Sequence, residues 1–212
     1  VEEDMTNVLI VDSAATGDAS VSRRLTGELE AILRGGGPVR IVRRDVGSDP
    51  VPHLSVETTP AIRGAEAGTD SARDAVALSD KLIAELKAAD LVVLGAPMYN
   101  FGMPSTLKAW FDHVLRAGIT FRYSAAGPEG LLKGKKAIVI ETRAGLYSEG
   151  PAAIMDSQEP HLRTLLGFMG IDDVAFVRAE KLAFGPDAAE ASVGAALDRL
   201  RALATEELPL AA

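Results

Sequence analysis

Apolar runs of strand length alternate with helix-spaced apolar stripes along the whole 212-residue chain. Val8 to Val11 form the first run. Leu25, Leu29, Ile32 and Leu33 then recur at i, i+4, i+7 and i+8, the stripe of a helix laid on a sheet, and the cluster Gly35-Gly36-Gly37-Pro38 ends it. Val39 to Val42 is the second strand. After a long polar segment Leu78, Leu82, Ile83 and Leu86 mark the next helix, which leads into Leu91 to Leu94. That third run is continuously apolar, as a central parallel strand covered on both faces should be. A helix to about Leu115, a run Ala137 to Ile140, a helix around Leu162 to Met169, a strand Val174 to Val177 and a terminal helix with Val193, Leu197, Leu200 and Leu203 complete the pattern.

Five strands separated by helices predict one doubly wound α/β domain over residues 1–212, with helices on both faces of a parallel sheet, and a flavodoxin-like order 2-1-3-4-5 is the arrangement taken for it. In such sheets the ligand lies beyond the carboxyl ends of the strands, where the order reverses. The loops after strands one, three and four are therefore where chemistry is expected. Residues 46–73, with Pro50, Pro52, Pro60, Gly64 and Gly68, break the pattern. A loop of that length is either a surface excursion or functional.

The first loop runs DSAATGDASVSRRL from Asp12 and leads small, hydroxylated residues into a helix N-terminus. Ser20 and Ser22 there suit either an N-cap or a phosphate cradle, with Arg23 and Arg24 as the expected local positive charge. GxxxxGK[ST] and GxGxxG are both absent, so the pattern favours a single phosphate over a nucleotide triphosphate or a dinucleotide. The second loop, GAPMYNFGMPSTLKAW, puts Met98, Tyr99, Asn100 and Phe101 in a turn, where apolar groups need a flat ring, a subunit interface or the core to cover them. The third, ETRAGLY, has Ala144 and Gly145, small enough for close backbone approach, or for a routine turn. One phosphate and one flat ring, as in flavin mononucleotide, fit all three loops.

Composition narrows the chemistry further. There are 22 Lys and Arg against 30 Asp and Glu, a formal charge of −8, which argues against nucleic acid and acidic membranes as partners. No cysteine is present, which excludes thiol redox chemistry, Cys nucleophiles and thiolate metal sites. His53, His113 and His161 have no metal-ligand spacing, so no metal is expected; His113, in WFDHVLR, reads as a surface or interface residue. The stretch VEEDMTNVLIVDS is acidic where a secretory signal is basic, and no run reaches the about 18 apolar residues of a membrane span, so a cytoplasmic protein is expected. Val1 to Asp4, ahead of Met5, read as a candidate start-site extension.

At these residues the chain resembles a known family. APMYNFGMPSTLKAWFDHVLRAGITFRY, GPEGLLKGKKAIVI, LLGFMGIDDV, LSDKLIAELKAADLVVLGAP and KLAFGPDAA closely resemble the FMN-dependent NADH-azoreductases, over essentially the whole chain apart from the extreme termini and parts of 46–73. The resemblance implies a homodimer with FMN at the subunit interface and ping-pong two-electron reduction of quinones and azo compounds by NADH or NADPH. The flavin N5 carries the hydride, so no side chain is expected to act as a nucleophile. By position, Ser13, Ser20, Val21 and Ser22 would surround the phosphate, Met98, Tyr99, Asn100 and Phe101 the ribityl chain and ring, and Thr142, Arg143, Ala144 and Gly145 the ring's polar edge. Phe121, Tyr147 and Phe168 would wall the substrate space, partly across the dimer; Phe168 equally fits the core stripe of its helix. The first binding serine aligns with Ser13 or Ala14. Relatives often carry Arg-Gly-Gly where this chain has Arg143-Ala144-Gly145, which would matter if the middle position needed φ > 0. A flavodoxin-type electron carrier and an acyl carrier protein phosphodiesterase are the alternatives. The aromatic turn has no use in the second, and no GxSxG elbow is present.

Overall fold

A computed structural model describes residues 5–206; Val1 to Asp4 lie outside them. Five strands, β1 (Thr6–Asp12), β2 (Val39–Asp45), β3 (Leu91–Pro97), β6 (Lys136–Thr142) and β7 (Asp173–Ala179), form a parallel sheet of order β2-β1-β3-β6-β7. Counted within the sheet this is the expected 2-1-3-4-5 order. Successive residues of the central strands alternate between two cores, as the pleat requires. Val8, Ile10, Val93 and Ile138 pack under α1 (Val21–Gly36) and α6 (Pro186–Glu206). Leu9, Val11, Val92, Leu94 and Val139 pack under α3 (Asp70–Ala88), α4 (Ser105–Val114) and α5 (Glu159–Met169). Burial on both faces explains why these strands read as unbroken apolar runs.

Two sequence expectations are corrected and one is refined. An antiparallel hairpin, β4 (Phe121–Ser124) with β5 (Gly127–Gly130), stands between α4 and β6, where no element was expected. It left no period-2 signal because only Phe121 of its eight residues is buried. The segment after β2, left open in the sequence between a surface excursion and a functional loop, is largely exposed but anchored at several points. Val46, Val51, Ala61 and Ile62 are buried, and a short α2 (Thr59–Ile62) lies within it. His113 is not at the surface: it is 1% exposed, and its Nε2 lies 3.0 Å from the Pro52 carbonyl, to which it donates. Its neighbours Trp110, Phe111 and Val114 are buried too, so the inward face of α4 is wide enough to include it.

Two close approaches join these pieces. A Cβ on Gly47 would stand 2.2 Å from the Ala14 carbonyl oxygen, so the start of the post-β2 segment lies directly against the first loop. A Cβ on Gly130 would stand 2.1 Å from the Gly170 nitrogen, where the hairpin meets the end of α5, and Leu132 N–H donates to Met169 O nearby at 2.8 Å. Gly130→Ala therefore has to push two backbones apart. A loss of about 2 kcal/mol or more is expected in urea denaturation, and an unchanged midpoint would show that the hairpin docks loosely.

Candidate functional site

The three loops meet at the carboxyl edge, beside the switch point between β1 and β3. In the first, a 3-10 turn (Gly17–Ala19) delivers Ser20 to the N-cap of α1, where its Oγ accepts from Arg23 N–H at 3.3 Å. Ser20 and Ser22 hydroxyls lie 3.0 Å apart. The first N–H groups of a helix have no partner inside it, and with Arg23 capped, those of Val21 and Ser22 are left for a ligand. Ser20 is therefore an N-cap, and the two serines line one helix N-terminus.

Arg23 does not supply the expected free positive charge. Its guanidinium pairs with Asp45 and donates to Gly17 O at 3.1 Å, so it braces the 3-10 turn. Ser13 is also committed, its Oγ donating to Gly95 O at 2.6 Å. Beneath the loop lies Asp12, which sequence reasoning passed over. It is 1% exposed, accepts from Thr26 Oγ1 and Arg43 Nε at 2.7 Å each, and burial raises its pKa although both partners oppose the shift.

The second loop is a tight turn. Tyr99 N–H donates to Gly102 O at 2.9 Å and Gly102 N–H to Tyr99 O at 3.1 Å, with Asn100 at φ 49° and Phe101 at φ 70° between them. Two consecutive left-handed non-glycine residues cost about 1–2 kcal/mol each. The conformation leaves Phe101 40% exposed and turns Tyr99 back, so that its hydroxyl accepts from Ala15 N–H of the first loop at 3.1 Å. Met98 N–H donates to Thr142 O at 2.9 Å, which fixes the second loop to the third.

In the third loop Ala144 is exposed and is not among the residues with positive φ, so its methyl is carried without strain. Gly145 has no room for one, since a Cβ there would stand 2.9 Å from the Tyr147 ring. Tyr147 meets Phe101 edge to face with ring centres 6.0 Å apart, so two loops contribute an aromatic pair to one cleft.

The side chain of Arg143 turns away from that cleft, and its contribution to any ligand is confined to its backbone. The guanidinium is fully buried. Nη2 lies 2.8 Å from Glu141 and 3.0 Å from Asp156, Nη1 lies 3.2 Å from Glu180, and Nε donates to Gln158 Oε1 at 3.2 Å. Burial works against this charge, but the carboxylates raise its pKa above the ordinary range. Burial likewise works against Glu180, yet the Ser148 hydroxyl, the Tyr147 N–H and Arg143 hold its pKa low. Glu141 differs. Its contact with Arg143 lies off the hydrogen-bonding direction, so neither of its buried oxygens accepts a hydrogen bond, and burial pushes its pKa up to about 8. Arg143 opposes that rise, while Glu159 and Asp156 add to it.

This cluster was missed in the sequence. The available signal was a charged residue closing an apolar strand, as in AIVIET, where burial demands a partner. Phe121 and Phe168 do not join Tyr147. Their rings lie 4.6 Å apart at the far end of α5, by the amino ends of β6 and β7, with the 73%-exposed Tyr123 packed on Phe121. Among the described residues no group of three or more His, Asp or Glu is placed to hold a metal ion, and no helix is long and apolar enough to cross a membrane.

The strand order, with three loops gathered at the β1–β3 switch point, defines a doubly wound α/β protein of flavodoxin type. The family Flavodoxin_2, described as having a flavodoxin-like fold, matches residues 6–204. The chain is 53% identical over 201 residues to an FMN-dependent NADH:quinone oxidoreductase of Hyphomonas neptunium, covering 94% of this chain and 96% of that one. It is 46% identical over 202 residues to the enzyme of that name from Azotobacter vinelandii, covering 94% and 100%. A crystal structure of azoreductase from Bacillus anthracis str. Sterne superimposes with a TM-score of 0.87 at 31% identity, covering 95% of this chain and 100% of that one. The chain belongs to the Flavodoxin_2 family and, within it, to the FMN-dependent NADH:quinone oxidoreductases.

Glu141 yields a pH prediction. A carboxyl whose pKa rises from 4.5 to about 8 on folding holds a proton that the unfolded chain has released. Native stability from this group is therefore full below pH 4.5 and is lost as pH rises to about 8. Glu141→Gln keeps the neutral shape throughout. Its thermal midpoint should fall less steeply than wild type between about pH 5 and 9 and exceed it at the alkaline end; parallel curves would refute the assignment.

Proposed function

We propose that the protein is an FMN-dependent NADH:quinone oxidoreductase that also reduces azo compounds, acting as a single flavodoxin-like unit per chain. The observation that carries this reading is a helix N-terminus lined by Ser20 and Ser22 at the same sheet edge as an aromatic pair, Phe101 edge to face with Tyr147. The first suits one phosphate and the second a planar ring. The strained Asn100-Phe101 turn is the fit test, because left-handed backbone at non-glycine residues is kept where function uses it.

FMN, when bound, would supply the hydride chemistry between NADH and the oxidised substrate. The chain's residues bind and orient. Val21 and Ser22 N–H groups with the two serine hydroxyls hold the phosphate. Ser13 shapes the loop through Gly95 and offers backbone. Met98, Tyr99, Asn100 and Phe101 flank the ribityl chain and ring, the turn's N–H groups facing developing negative charge. Thr142, Arg143, Ala144 and Gly145 present backbone to the ring's polar edge, and Tyr147 walls the substrate space. A cytoplasmic location accompanies this reading, since NADH is the reductant.

Phe121 and Phe168 serve that space only from a second copy, because their own chain holds them at the opposite edge of the sheet. The reading is therefore a homodimer in which each hairpin covers the partner's cleft. The exposed Tyr123 beside Phe121 supports it.

Purified protein reconstituted with FMN should show flavin absorbance that NADH bleaches without semiquinone. A stable semiquinone, or no response to NADH, would indicate an electron carrier instead. Ser22→Ala is the cleaner probe of the cradle, because Ser20 also caps α1. Loss of a hydrogen bond to a charged group costs about 1.5–3 kcal/mol, so FMN should bind roughly tenfold or more weakly in fluorescence titration. Tyr123→Glu tests the dimer: sedimentation should shift toward monomer while FMN stays bound, and an unchanged dimer would remove the hairpin from the interface.

A further inference from the structure

The two walls of the cleft have a common support beneath them. Tyr147 is held by Glu180, which accepts from Tyr147 N–H at 2.8 Å and from Ser148 N–H at 3.0 Å, and which bonds the Ser148 hydroxyl. Phe101 is held by the segment before α5, since Ser157 N–H donates to Phe101 O at 3.1 Å. Next to it, Gln158 Nε2 donates to Ala96 O at 2.9 Å, just before the second loop, and Asp156 Oδ1 accepts from Gln158 N–H at 2.9 Å. Glu180 lies far from Gln158 and Asp156 in sequence and on a different element. One side chain contacts all three, and it is Arg143.

Resting on the function proposed above, we propose that Arg143 is a positioning residue that fixes Phe101 and Tyr147 relative to one another, and with them the apolar surface offered to the flat substrate. It touches neither cofactor nor substrate with its side chain. It acts through Glu180 on one wall and through Gln158 and Asp156 on the other. Lysine cannot replace it, because one ammonium is a point charge, whereas the guanidinium meets Gln158, Glu180 and Asp156 from three nitrogens in a fixed plane. The phosphate cradle lies on β1 and α1 and shares no residue with this cluster, so the phosphate's contribution to cofactor affinity is independent of Arg143.

The experiment is a double-mutant cycle on FMN-loaded protein with Arg143→Lys and Tyr147→Ala. The readouts are the FMN dissociation constant, the fluorescence yield of bound FMN without NADH, and KM and kcat for a quinone. Arg143→Lys should weaken FMN binding less than Ser22→Ala does, raise the fluorescence yield as the aromatic pair loosens, and raise KM by about tenfold or more. In the Tyr147→Ala background the same substitution should raise KM little further. Additive KM effects, or an unchanged fluorescence yield, would overturn the positioning role and leave the function standing. Wild-type protein that takes up no FMN would overturn the function and this proposal together. If Arg143→Lys does not fold, Glu180→Gln, which keeps the shape and removes the charge that faces Nη1, takes its place in the cycle with the same expected and opposing results.

Discussion

The carboxyl edge of this sheet is organised around one buried cation. A guanidinium removed from water costs several kcal/mol before its partners act, so Arg143 is not there as the cheapest way to fill space. Asp156 and Glu180 balance its charge, Glu141 stands beside it with a pKa that burial raises, and Gln158 takes Nε. What the arrangement yields is placement. Loops from β3, β6, β7 and the approach to α5 converge on one planar group, and a planar group with fixed donor directions specifies angles as well as distances.

The same logic recurs on a smaller scale at β1. Asp12 is buried between Thr26 and Arg43, and Arg23 is turned into a brace by Asp45. In both places charge is used for geometry below the cleft, not displayed within it. For a chain with a formal charge of −8 that leaves helix N–H groups and hydroxyls, neutral donors with no counter-ion of their own, to meet an anionic ligand.

The sheet and most helices were legible in the sequence because parallel strands such as Leu91–Leu94 and stripes such as Leu25, Leu29 and Leu33 are buried by local periodicity alone. The crossover rules put helices on both faces, and the switch point of a flavodoxin-like order located the three loops. The hairpin at 121–130 was not legible, since its packing rests on a glycine against a backbone and on rings shared with Phe168. His113 was misplaced because one residue beside a helical stripe is inside or outside according to what packs over it, here the turn carrying Pro52. Met98 to Phe101 were identified by their exposed apolar character, but the paired left-handed conformations are tertiary. The Arg143 cluster draws on residues 141, 143, 156, 158 and 180, a contact pattern with no period to detect.

The contact between Gly47 and Ala14 bears on how this protein can be altered. With the Ala14 carbonyl 2.2 Å from where a side chain would begin, the stretch following β2 and the loop following β1 occupy one another's space. They form a single unit of inheritance despite the helix and strand that separate them in sequence. A segment exchanged between relatives at only one of them would arrive without its counterpart, so recombination or loop grafting in this fold succeeds when both are moved together.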